Sequence, residues 1–199
     1  MMNLWGWLKS ATLAAVLMIL CALSMPVVAT AQSLVPSQSA NTGNDFSVNV
    51  PQGWDKYEIS HTSFRGGKVT ETYVTQTTDL VSRTTKYFLM DIGTAPAIFG
   101  LRDSVVRRLS HEQLVDFLID QMNDSLIDYK VTKTYTSGEG VEKLYVIEAN
   151  SAVPGFRQLT KTYIRFKQDR VFFWQVVYLD AFASYASTLQ SIADSVTIN

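Results

Sequence analysis

The turns along this 199-residue chain are too short to carry crossovers, and that restricts most of its sheet to antiparallel pairing. Segments rich in Thr, Val and Tyr recur at 46–50, 54–59, 69–76, 84–92, 129–136, 141–150, 159–166 and 171–179, and this composition suits a pleated surface. Between them lie Pro51-Gln52-Gly53, Arg65-Gly66-Gly67-Lys68, Ser137-Gly138-Glu139-Gly140 and Gln168-Asp169, turn chemistry in which Pro and Gly set the backbone. Two stretches switch to helical spacing. Ser110 is an N-cap with Gln113 three residues on, a capping-box pattern, and Leu114, Phe117, Leu118 and Met122 then fall on one face. A last helix over 184–195, capped by Asp180 or Ser184, turns Phe182, Tyr185, Leu189, Ile192 and Val196 inward. The order predicts an α+β fold, with a mostly antiparallel sheet of about eight strands sandwiched between helices. Phe173 and Trp174 must point to opposite sheet faces, and with both faces covered each can be buried; Trp54 and Phe172 are also expected to pack in the core.

The chain opens with a leader. Lys9 supplies a short positive region, 11–23 is apolar except for Thr12, Pro26 breaks the run, and Ala29-Thr30-Ala31 is a small-x-small cleavage site. Residues 1–31 therefore read as a signal peptide, 32–44 as a flexible Ser/Gln/Asn/Gly linker, and 45–199 as one domain. The alternative is an uncleaved anchor, since 10–31 carries no charge and is about long enough to span a bilayer; membrane contact would then run through this segment alone. Cys21 does not make a lipid-attachment site, because Leu20 precedes it where a small residue is required. Cys21 is also the only cysteine, so a chain beginning at Gln32 must be held by core packing without disulfides. Lys9 is the only charge in the leader, so the remainder has a net charge of −2 and no general attraction for nucleic acid or anionic membrane.

Chemistry-bearing motifs are sparse. The two histidines, His61 and His111, would need to converge with carboxylates such as Asp45 or Glu58 to hold a metal, and their spacing does not ask for it. There is no G-x-S-x-G, and Ser110-His111 is better explained by helix capping. The glycine pairs lie in turns rather than before a helix, so no cofactor is expected. The most informative segment is 92–109, long for a connection, which sets Ile98 and Phe99 beside Arg102, Arg107 and Arg108. Apolar anchors beside arginines suit a protein interface. The alternatives are that Phe99 tucks into the core, or that the arginines bind an anion.

Phe46-Ser47-Val48-Asn49-Val50-Pro51-Gln52-Gly53-Trp54 resembles the opening of PsbP-like domains, a group that also takes in DcrB-type envelope proteins and Mog-type Ran-binding proteins. Arg170-Val171-Phe172-Phe173-Trp174-Gln175-Val176-Val177-Tyr178 resembles the last strand of that family, followed by a helix carrying Tyr185 and Ile192 and a terminal Ser-Val. The resemblance spans nearly all of 46–199 and implies an α-β-α sandwich. It also implies an exported, non-enzymatic binding or assembly accessory protein, acting on a protein partner in the periplasm, or in the thylakoid lumen of a photosynthetic source. Members range from photosystem assembly to nuclear transport, so the fold does not fix the role. The chain departs from lipidated cyanobacterial members in lacking a lipobox cysteine, and no family binding residue can be placed on it. The alternatives are a carrier of a small apolar ligand in the envelope, or a hydrolase using His61 or His111 as base.

Overall fold

The computed structural model describes residues 45–62, 67–75 and 86–199. The expected leader over 1–31 and linker over 32–44 lie outside these residues. Nine strands and four helices follow in order: β1 (Phe46–Ser47), β2 (Asp55–Thr62), β3 (Lys68–Thr75), β4 (Lys86–Thr94), α1 (Ala95–Phe99), α2 (Asp103–Val106), α3 (His111–Ser125), β5 (Lys130–Ser137), β6 (Leu144–Val153), β7 (Phe156–Lys167), β8 (Arg170–Leu179), α4 (Ala186–Asp194) and β9 (Thr197–Ile198). Seven strands form one sheet in the order β2-β3-β4-β8-β7-β6-β5, with every pair antiparallel. It is two meanders, β2-β3-β4 and β5-β6-β7-β8, fused where β4 pairs with β8 from Lys86↔Tyr178 to Thr94↔Arg170.

Two cores result, one on each face. On the first, α4 presses Leu189, Ile192 and Ala193 onto Phe88, Met90, Trp174 and Val176. On the second, α3 presses Leu114, Val115 and Leu118 onto Tyr145, Ile147, Ile164 and Phe173. Phe173 and Trp174 therefore separate as strand alternation requires, and both are buried. Ser110 caps α3 with both halves of the capping box formed: its hydroxyl accepts from the Gln113 N–H at 3.2 Å, and its own N–H donates to the Gln113 side chain at 2.8 Å.

Three expectations are corrected. The opening strand keeps only Phe46–Ser47, and its partner is β9, which raises the strand count from about eight to nine. The last helix begins at Ala186 rather than 184, after a 3₁₀ segment Asp180–Tyr185 in which Phe182 departs from helical geometry. Residues 92–109 are not a loop: they hold the end of β4, α1 and α2. Pro96 starts α1 with its preset φ, and Gly100 ends it at φ +63°, where a side chain would be strained. Two other glycines let α1 lie close to the sheet. A Cβ on Gly67 would sit 2.5 Å from the Ala97 Cβ, and one on Gly93 would sit 3.1 Å from the Lys68 carbonyl and 3.3 Å from Ile98.

Candidate functional site

The residues singled out between β4 and α3 divide by depth. Phe99 is 1% exposed and belongs to the core under α3, stacked 6.1 Å from Phe166. It is an anchor for the segment and not a surface contact, because α1 folds its apolar side onto β4 and β8 instead of leaving it in a loop. Ile98 is half-buried against the same core. Arg102, Arg107 and Arg108 are exposed. Arg107 Nε donates to Asp103 Oδ2 at 2.6 Å, an i,i+4 pair within one turn that holds the guanidinium charged. Among the described residues neither Arg102 nor Arg108 is in an ion pair. Val105 lies between them in sequence, 40% exposed. The segment is thus a short ridge of two unpaired arginines and an exposed valine, fastened from below by Phe99.

The two histidines stand in different settings. His61 on β2 has Nδ1 3.7 Å from a Glu71 oxygen, and His111 at the start of α3 lies flat on Phe166 with centroids 3.9 Å apart. Among the described residues no three His, Cys, Asp or Glu side chains are placed to hold a metal ion. Beside His111, Glu112 accepts from Lys143 Nζ at 2.6 Å and from the Tyr145 hydroxyl at 2.7 Å; those bonds lower its carboxyl to about 2.

One group that the sequence reading did not single out is Asp91. On β4 it pairs with Glu71 of β3 on one side and Phe173 of β8 on the other. Its Oδ1 is shut off from solvent and has no hydrogen-bond partner. Burial, and then the Glu71 charge, push its carboxyl well above the usual range. Tyr73 donates to Glu71 at 3.2 Å, and burial followed by Asp91 pushes Tyr87 up to about 12. The arrangement is a carboxyl pair flanked by tyrosines on one sheet face. No nucleophile is placed beside it among the contacts of the described residues.

No protein-family model matches the chain, and no curated protein sequence matches it. Solved structures do. Cyanobacterial PsbP (CyanoP) from Synechocystis sp. PCC 6803 is 13% identical, with 89% of this chain and 99% of that chain covered at a TM-score of 0.55. That likeness, with the strand and helix order above, gives this chain a PsbP-like fold. Looser matches are LpqN of Mycobacterium tuberculosis, described as involved in cell envelope biogenesis (16% identity, 84% and 91% covered, TM-score 0.42), and PA94 of Pseudomonas aeruginosa, a putative regulator of unknown function (7%, 70% and 78%, 0.42). None of the helices among the described residues is long and apolar enough to cross a membrane.

Proposed function

We propose that this chain is an exported, non-enzymatic accessory protein that binds a protein partner outside the cytoplasm, through the ridge of α1 and α2. The observation that carries the reading is the pair of unpaired, exposed arginines beside Val105 on a segment rigidly seated by Phe99. Arginine offers five donors and a flat stacking surface, so it suits contacts that must be both polar and packed. Seating the ridge on the core means little ordering entropy is lost when a partner docks. The leader pattern over 1–31 supports the export half of the reading.

A photo-crosslinking residue at Val105, in protein expressed in its native host, should capture one partner. The substitutions Arg102→Glu and Arg108→Glu should reduce the yield by ~10-fold or more, as loss of central interface contacts commonly does. Thermal stability should be unchanged, because neither side chain touches the core. Capture at undiminished yield by the folded double variant would place the partner surface elsewhere. Intact mass of exported protein should correspond to a chain beginning at Gln32; a full-length chain in the membrane fraction would favour the retained anchor. A His61→Ala/His111→Ala protein that stays folded and supports the same phenotype would leave the hydrolase reading without a base.

A further inference from the structure

The first sheet face is helix-covered over β4 and β8, where α4 lies, and Gln190 of that helix reaches only as far as the Tyr163 hydroxyl on β7. Beyond it, β5 and β7, with β6 between them, turn basic side chains outward. Register places Lys130 level with Asn150, Lys133 with Glu148 and Lys161, and Arg157 with Ala152, all on this face. A bulge between Val131 and Lys133 makes this possible: it restores Lys133 to the side Lys130 occupies, while Val131 packs into the opposite core. Lys161 is paired with Glu148 at 3.4 Å, and Arg165 with Glu142 at 2.9 Å. Lys130, Lys133 and Arg157 are exposed and, among the described residues, belong to no ion pair. Tyr135, 36% exposed, lies under Lys133 Nζ at 4.7 Å and Lys161 Nζ at 5.9 Å. β5 is also the last strand of the sheet, so one side of its backbone has no strand partner among the described residues.

We propose that this basic face and the free edge of β5 dock an extended, acidic segment of a partner protein, a surface separate from the arginine ridge. Charge complementarity selects an acidic partner in a chain that is otherwise mildly acidic. The free edge selects a polypeptide, because only another backbone can continue the ladder. The carboxylates Glu142 and Glu148 interrupt the cations, and Asp128 and Asp180 rim the hollow of about 470 Å³ where Lys130 and Arg157 meet. That mixture disfavours a uniform polyphosphate or an anionic bilayer. Lysines on the edge also keep two copies of β5 from pairing with each other.

The test uses the chain from Gln32 to Asn199 and a fluorescent peptide of alternating Glu and Thr. Its binding, followed by anisotropy, should weaken steeply with salt. It should fall by ~10-fold or more in the Lys130→Glu/Lys133→Glu/Arg157→Glu variant, while Arg102→Glu/Arg108→Glu binds as well as the unaltered chain. Lys130→Gln/Lys133→Gln serves if the triple variant loses its circular dichroism spectrum, and should weaken binding in the same direction. Undiminished binding by these folded variants overturns the proposal. So does tighter binding of single-stranded DNA, or of vesicles rich in phosphatidylglycerol, lost on the same substitutions. Loss of peptide binding with the ridge variant instead would show that the ridge alone is the partner surface.

Discussion

Asp91 is where this fold works against itself. A carboxyl with one oxygen closed off and unpartnered, opposite Glu71, is easier to keep protonated than ionised. Its folded pKa lies above the unfolded value near 3.9, so the native state holds a proton that the unfolded chain has released. Its contribution is therefore most favourable at low pH and becomes destabilising as pH rises from about 4 through the folded pKa. Asp91→Asn removes the titration at nearly constant shape. Urea unfolding should find the variant more stable than the parent at pH 7, with the gap closing towards pH 4. A gap of the same size at both pH values would show that Asp91 is not protonated in the fold. Phe99 gives the opposite kind of residue-scale expectation. Fully buried and stacked on Phe166, it should cost ~3–5 kcal/mol when cut back to Ala, as core aromatics do. A loss below ~1 kcal/mol would put it back at the surface.

At the scale of elements, the small helices test how closely α1 is fitted. Gly67→Ala would bring a methyl to within 2.5 Å of the Ala97 Cβ, so α1 must move or β3 must give. Overpacking of this kind costs ~1–3 kcal/mol, and calorimetry should show the drop. Gly53→Ala is the converse case, a methyl that meets no neighbouring atom but sits at φ +80°, so its cost is backbone strain alone. The longer elements were legible in the sequence because period and turn chemistry agree: Ser110 with Gln113, the stripe Leu114/Leu118, and the two-residue turn Gln168-Asp169 all stand where they were expected. Val115, buried beside the stripe, was missed because a globular helix buries a wider face than a strict stripe. α1 and α2 escaped the reading because five and four residues give no period to see. Asp91 escaped it too. Its partner Glu71 lies on another strand, and only the β3–β4 register brings the two carboxyls level.

At the scale of the whole domain, the first and last described strands pair with each other, and this was the least legible feature, because strands of two residues carry no pattern. β1 pairs with β9 through Phe46↔Ile198 and Ser47↔Thr197, and the Asn199 N–H donates to the Asp45 carbonyl at 3.0 Å. The Arg170 guanidinium donates to both carboxylate oxygens of Asp45, and with that hydrogen bonding as the main cause it holds the Asp45 carboxyl below its usual range. Both partners are more than a third exposed, so the pair itself contributes only ~0.2–1 kcal/mol. Its sign is fixed all the same: present above the unfolded pKa, and lost as pH falls through the lowered folded value. The larger share comes from apolar closure. Phe46 and Val48 are buried against α4, Lys56 lies 5.9 Å from the Phe46 ring, and Ile198 packs on the same core. Ending the chain at Val196 removes β9 and uncovers part of that cluster. By the area it exposes this should cost ~2 kcal/mol, or roughly 4–8 °C of melting temperature for a domain of this size. Arg170→Met alone should cost less, with its full cost above about pH 4 and a cost that fades as pH falls through the lowered folded value of Asp45. If the truncated chain melts with the parent, the terminal strands add no stability, and the fold is held by the seven-stranded sheet and its helices without them.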